Sequence, residues 1–273
     1  MIGVEARGLY EALLEQEDGD SWEAVGLPWL ARAQGGYQER LRTAAEYRKD
    51  SAPSVELQCE LYALSRVGDL LLEAEAVGLF TGLGMTAFEG GPFDPFLHEI
   101  VEVEQAADPQ APVELIGTVW PGLMLGQLLI RRAGVRVRAG AAHAQRGVAD
   151  RGMLYWTFRR AHRPVQDLSH GWGHNSQWST RLRLDYRTPG GDLLNVAGRL
   201  SIDGDDMLAP DHPENLSDAA RLLTAGERRE LLRHRCLLRV PKAVDRLAEQ
   251  VGWAAEFMPY DWRLPPAEEG RPG

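Results

Sequence analysis

The sequence has little cysteine and no long hydrophobic run, and each shortage excludes a class of protein. Its two cysteines, Cys59 and Cys236, lie far apart within helical apolar patterns, so we expect reduced thiols and no disulfide. No apolar run approaches the roughly 18 residues that a membrane-spanning helix requires. A typical export signal has a basic start followed by an apolar core, and the N-terminus shows neither feature. We therefore predict a soluble, cytoplasmic protein.

Positive charge is also scarce. The formal net charge is −10, with 40 acidic and 30 basic residues. An acidic surface repels the phosphate backbone, so no nucleic acid partner is expected. Sequence motifs that would name an activity are missing as well: there is no nucleotide-binding loop, zinc ribbon, nucleophile elbow or kinase signature.

The composition that remains is that of an ordinary globular protein. Hydrophobic residues make up 44% and charged residues 26% of 273 residues, enough for one large domain or two small ones. Helical patterns dominate the first eighty residues. They predict a helix near residues 9–14, a second over 29–49 that weakens at Gly35, and a third from Ser54 to about Leu79.

Strand patterns become common after residue 80. The Gly- and Pro-rich stretch 81–95 predicts a loop. Alternation predicts strands at 101–104 and 135–138, a run that follows two prolines predicts a strand at 113–119, and an apolar, aromatic run predicts a buried strand at 153–158. The apolar run 121–133 predicts a buried helix that ends at Gly134.

The region from Trp178 to Ile202 gives the clearest local pattern. Apolar residues alternate with charged ones up to a Pro-Gly turn at residues 188–191, and a second run continues to Ile202, which predicts a β-hairpin. Thr224 and Glu227 have capping-box spacing and predict the start of a C-terminal helix.

Together these patterns predict an α+β fold, with N- and C-terminal helices packed on a mainly antiparallel sheet. Residues 1–80 are expected to form a helical subregion, and residues 81–273 a mixed region that completes one compact unit.

One segment carries more chemistry than a scaffold needs. Residues 169–178 contain two imidazoles, two amides, two hydroxyls and two indoles, loosened by glycines that argue against a helix. The candidate catalytic residues are His170, His174, Asn175 and Gln177. A histidine there suits general acid/base work, since its ordinary pKa is near neutrality, and the amides suit positioning of a substrate.

Two other interpretations of this segment stay open. A divalent metal could be held by His170 and His174 with His98 and Glu102 as further ligands. Substrate could instead be bound by an aromatic platform and a neighbouring basic patch, which comprise Trp172, Trp178, Arg159 and Arg160. The plainest alternative is that the segment only satisfies buried backbone groups.

Two functions follow from these interpretations. The first is a cytoplasmic enzyme that modifies a small molecule or peptide through the His/Asn/Gln loop. The second is a non-catalytic protein that binds a ligand or another protein with a Trp-centred surface. The concentration of polar groups in one glycine-loosened loop favours the enzyme.

Overall fold

The computed structural model describes residues 5–16, 21–150, 178, 180–198, 200–202, 223–234, 242–243, 245–246 and 262–264. Over these residues the fold is α+β with mostly antiparallel sheets, as predicted. The chain divides into two compact units whose segments alternate along the sequence. The first unit comprises Met1–Glu89, Trp120–Ala133 and Leu154–Leu182, and the second comprises Gly90–Val119, Gly134–Met153 and Arg183–Gly273. The boundary at residue 80 stays a prediction.

The helices and strands are named here in chain order. The helices are α1 (Ala6–Leu14), α2 (Leu27–Ala33), α3 (Gly36–Arg42), α4 (Val55–Val67), α5 (Glu73–Gly82) and α6 (Ala225–His234), and a π-helical turn over Trp22–Gly26 precedes α2. The strands are β1 (Thr86–Phe88), β2 (His98–Gln105), β3 (Glu114–Trp120), β4 (Gly122–Leu125), β5 (Leu128–Arg131), β6 (Ala133–Ala139), β7 (Asp185–Thr188), β8 (Gly191–Leu193), β9 (Leu200–Ser201) and β10 (Trp262–Arg263).

Helix α4 of the first unit begins at the capping residue that the sequence predicts. The Ser54 hydroxyl accepts the Leu57 N–H at 3.3 Å and starts α4. Gly35, with φ of 109°, separates α2 from α3. The prediction that the third helix continues to Leu79 is wrong, because α4 ends at Val67 and α5 starts at Glu73. The apolar pattern continues through the turn between α4 and α5, so the sequence does not show where the first of these helices ends.

Three strands of the first unit form an antiparallel arrangement in the order β1-β4-β5. The helix predicted over 121–133 is wrong: this run forms β4 and β5, joined by a turn at Gly126 and Gln127. Most side chains of both strands are buried, so the sequence shows no alternation and resembles a buried helix. The predicted loop 81–95 is shorter than expected, since α5 extends to Gly82 and β1 occupies 86–88.

The second unit contains the three-stranded order β2-β6-β3 and the antiparallel β7–β8 hairpin. The strands predicted at 101–104, 113–119 and 135–138 are confirmed. In the hairpin Thr188 pairs with Gly191, which leaves Pro189 and Gly190 as a two-residue turn.

The second strand of that hairpin ends earlier than predicted. It stops at Leu193, and Asn195 adopts a left-handed φ of 49° that interrupts the extended chain. The Asn195 amide donates to the Trp262 carbonyl at 2.6 Å, and the chain resumes as β9, which pairs parallel to β10.

The predicted C-terminal capping box is confirmed. The Thr224 hydroxyl accepts the Glu227 N–H at 3.3 Å, and the Glu227 carboxylate accepts the Thr224 N–H at 2.7 Å, where α6 begins. Among the residues that the structure describes, none of the helices is long and apolar enough to span a bilayer.

Candidate functional site

Most of the predicted site residues lie outside the described residues, as does the strand predicted at 153–158. These site residues are Arg159, Arg160, His170, Trp172, His174, Asn175 and Gln177. Their roles stay predictions. Three candidates are described: His98, Glu102 and Trp178.

His98 serves as a buried packing residue of the second unit. The residue is only 2% exposed, and its Nδ1 accepts the Asp94 N–H at 3.0 Å. Its ring stacks on Phe93 with 5.9 Å between the ring centroids. Burial lowers the pKa of this imidazole below its ordinary value, so it is neutral at neutral pH.

Glu102 lies well apart from His98 along the same strand. The glutamate is exposed on β2, four residues along the strand, and strand rise separates the two residues by about 13 Å. In the ranges the structure describes, no group of three His, Cys, Asp or Glu side chains could hold a metal. Metal binding by the loop histidines stays a prediction.

Trp178 lines a cavity of about 550 Å³ that lies within the first unit. The lining comes from the N-terminal part of α1, from α3, from α4 and from the segment around Trp178; we call it the α4 cavity. Its lining residues are Glu5, Arg7, Arg40, Val55, Glu56, Cys59, Glu60, Ala63, Trp178 and Arg181.

Helix α4 provides two rows of side chains to this cavity. Val55, Cys59 and Ala63 repeat every fourth residue and form an apolar row, and Glu56 and Glu60 form an acidic row beside it. Eight residues of helix make the apolar row about 12 Å long. The floor of the α4 cavity therefore presents an apolar and a charged surface side by side.

Glu60 holds one end of the cavity in place. Its carboxylate accepts the Ala6 N–H and the Tyr37 hydroxyl, each at 2.6 Å, and lies 3.6 Å from Arg40 Nη2. Burial and the adjacent Glu60 charge raise the pKa of Tyr37 well above its ordinary value, so the phenol stays protonated. Because Ala6 begins α1 and Tyr37 lies in α3, this carboxylate links α1, α3 and α4.

Cys59 is a free, half-buried thiol on the cavity floor. Burial raises the pKa of the thiol, and the nearby Arg181 charge opposes that shift only in part. The thiolate is the nucleophilic form, so a raised pKa makes Cys59 a weak nucleophile at neutral pH. The residue therefore acts as part of the apolar wall.

Trp178 is held by two contacts from α1. Its ring meets Tyr10 edge to face, with centroids 5.3 Å apart and an interplanar angle of 75°. The Arg7 guanidinium lies 5.6 Å from the ring centroid. The indole remains partly exposed toward the cavity. Trp178 thus presents a fixed aromatic surface, which is what a ligand platform requires.

Sequence reasoning found Trp178 but missed the rest of the α4 cavity. Cys59, Glu60 and Arg181 belong to no motif, and they are brought together only by the packing of segments that are distant in sequence. No family model matches the chain, and neither a curated protein nor a solved structure matches it. The cavity geometry is therefore the basis for a functional conclusion.

Proposed function

We propose that the chain binds a small organic molecule in the α4 cavity, with Trp178 as its aromatic wall. The observation that carries this proposal is that Trp178, a predicted substrate-binding residue, lines a cavity of about 550 Å³. That volume falls in the range of known small-molecule sites, about 300–1,000 Å³.

The lining supports reversible binding. An apolar row and an indole can cover the hydrophobic part of a ligand, while the charged residues beside them fix its orientation. The weak nucleophilicity of Cys59 favours non-covalent contact over covalent capture. The Glu60 links keep this end of the cavity ordered before a ligand arrives, which reduces the entropy that binding costs.

Two tryptophan substitutions test the proposal. Val55, which lines the cavity, is 43% exposed, and Leu27, which lies outside it, is 45% exposed. We expect Val55→Trp to fill the cavity and Leu27→Trp to leave it open. Binding of a library of small aromatic and aliphatic compounds is measured by ligand-observed NMR.

The compounds bound by the native protein should still bind Leu27→Trp and should lose binding to Val55→Trp. If Val55→Trp binds the same compounds with the same affinity, ligands do not occupy the α4 cavity and the proposal fails. Thermal unfolding of both variants establishes that each is folded.

We also propose an enzymatic role for the His/Asn/Gln loop, since Gln177 directly precedes the cavity residue Trp178 in the sequence. In this proposal His170 or His174 is the acid/base or the ligand of a divalent metal, Asn175 and Gln177 position the substrate, and Arg159 or Arg160 holds an anionic group.

The double variant His170→Ala/His174→Ala tests the enzymatic role. It should keep ligand binding and lose conversion of the bound molecule, and metal that co-purifies with the native protein should be lost from it. Equal product formation by native protein and double variant would contradict catalysis by these histidines.

A further inference from the structure

Charges of both signs line the α4 cavity, from three arginines and three glutamates. Two of the arginines already have acidic partners: Arg40 lies 3.6 Å from Glu60, and Arg7 lies 2.8 Å from Glu11, which is outside the lining. Among the residues that the structure describes, Arg181, Glu5 and Glu56 have no ion-pair partner. The charges open to a ligand are therefore one guanidinium and two carboxylates.

Arg181 and Glu56 act on the same part of the floor. Both influence the Cys59 thiol: the positive charge lowers its pKa and the carboxylate raises it. Glu56 lies three residues before Cys59 on α4, so the two side chains are neighbours on the helix surface. Donors of the Glu56 backbone and of the Ser54 side chain lower the pKa of the Glu56 carboxyl, so it is ionised at neutral pH.

An apolar surface lies beside these charges. Val55, Cys59 and Ala63 run along the floor, and Trp178 forms part of the wall. All three of these charged side chains are exposed, so each remains hydrated when the cavity is empty. A simple anion could pair only with Arg181, and a simple cation only with Glu5 or Glu56. A ligand that carries both charges satisfies the two kinds of group together.

We infer that the α4 cavity selects a zwitterion with an apolar side chain, namely an amino acid or a short peptide with both termini free. This inference rests on the proposed function. The ligand ammonium pairs with Glu56 or Glu5, and the ligand carboxylate pairs with the Arg181 guanidinium, which suits bidentate contact. The side chain covers the apolar row against Trp178. An extended dipeptide is about 7 Å long and fits the floor of about 12 Å.

Four forms of the dipeptide Phe-Leu test the inference by isothermal titration calorimetry. They are the free dipeptide, its N-acetyl form, its C-terminal amide and the doubly blocked form. Each free terminus supplies a charge-assisted hydrogen bond, so the free dipeptide should bind about tenfold more tightly than either singly blocked form.

Two variants assign the preference to named residues. Arg181→Gln should bind the free dipeptide and its C-terminal amide equally while it still prefers a free N-terminus. Glu56→Gln should weaken or abolish the preference for a free N-terminus and keep the preference for a free carboxylate. Arg32→Gln and Glu46→Gln, at exposed positions outside the cavity, are the matched controls and should behave like the native protein.

Equal binding of all four forms would overturn the zwitterion inference and leave the proposed small-molecule site intact. The zwitterion inference also fails alone if no form binds, while other compounds bind the native protein and lose binding to Val55→Trp. If no form binds and Val55→Trp keeps every compound that the native protein binds, both proposals fall. A uniform loss of affinity for all four forms in Arg181→Gln would show that Arg181 supports the fold and does not recognise the carboxylate.

Discussion

Arg183 and Asp185 form a buried ion pair in the second unit, where the sequence shows only alternating charged and apolar residues. The Asp185 carboxylate accepts Arg183 Nε at 3.0 Å and Nη2 at 2.6 Å, and it also accepts the Asn195 N–H at 2.8 Å. Both side chains are 3% exposed. Burial of charge is tolerated here because each partner neutralises the other and the carboxylate is hydrogen-bonded as well.

Substitution of this carboxylate should be costly. Asp185→Asn removes the buried carboxylate charge that pairs with Arg183, so we expect a loss of about 3–5 kcal/mol in the free energy of unfolding. Asp192→Asn is the control, because Asp192 pairs with Arg187 at the surface, where such a pair contributes about 1 kcal/mol or less. Urea denaturation measures both changes. Similar losses in the free energy of unfolding for the two variants would show that burial of the Arg183–Asp185 pair does not raise the cost of its removal.

His98 should make stability depend on pH. Burial lowers the pKa of the folded imidazole, aided by the Arg187 charge and opposed by Asp94 and a backbone contact with Gly90. As pH falls through about 6.5, the unfolded histidine gains a proton and the folded one does not. The free energy of unfolding should therefore keep its full contribution from His98 above about pH 7. It should decline as pH falls toward the lowered pKa of the folded state.

His98→Asn isolates this contribution, since the amide oxygen can accept the Asp94 N–H in place of Nδ1. The variant should lose less stability than the native protein between about pH 7 and pH 5, measured by urea denaturation at each pH. The acidic residues titrate in both proteins, so their effect on the free energy of unfolding cancels when the two pH profiles are subtracted. Parallel pH profiles would show that His98 does not carry the effect.

The turn between β4 and β5 lies where the sequence pattern wrongly predicted a helix. Gly126 has φ of 56°, and a Cβ there would lie 2.7 Å from the Ala45 carbonyl oxygen. The Gln127 N–H donates to that same carbonyl at 2.7 Å, and the Gln127 side chain accepts the Tyr47 N–H at 3.0 Å. The hairpin is thus fixed by contacts with a segment eighty residues earlier, which no local pattern reveals.

Gly126→Ala should destabilise the protein by about 1–3 kcal/mol, because alanine is strained at positive φ and its Cβ meets the Ala45 backbone. Gly226→Ala provides the opposite case. Gly226 lies in α6 with open space around it, so alanine should stabilise the helix by about 0.5–1 kcal/mol. Thermal unfolding of both variants measures whether each change raises or lowers stability. A destabilised Gly226→Ala or a neutral Gly126→Ala would contradict these expectations.

Predictability from sequence follows the range of the interactions involved. The starts of α4 and α6 were predictable because Ser54 and Thr224 cap their helices within three residues. The β7–β8 turn was predictable because Pro189 and Gly190 determine it locally. The β4–β5 hairpin was not, because strands buried on both faces lose the period of two that identifies a strand.

At the scale of the whole molecule, the α4 cavity depends on the assembly of the first unit. Glu60 of α4 caps the first residue of α1 and bonds Tyr37 of α3, so the cavity exists only when these three helices are packed. Only Trp178 among its lining residues was predicted, from its place in an aromatic and polar segment. The others have side chains of common types, and their role follows from position alone.

The rate of Cys59 alkylation tests ligand binding in the α4 cavity most directly, because this thiol lies on the cavity floor. N-ethylmaleimide modification is followed by mass spectrometry in a Cys236→Ser background, with and without a saturating compound identified by NMR. The reaction is run at mildly alkaline pH, where more of the Cys59 thiol is ionised and can react. We predict that the compound slows alkylation of Cys59 in the Cys236→Ser protein. It should also slow alkylation in the Cys236→Ser/Leu27→Trp protein, whose cavity stays open. An unchanged alkylation rate while the compound is bound would contradict ligand binding in the α4 cavity.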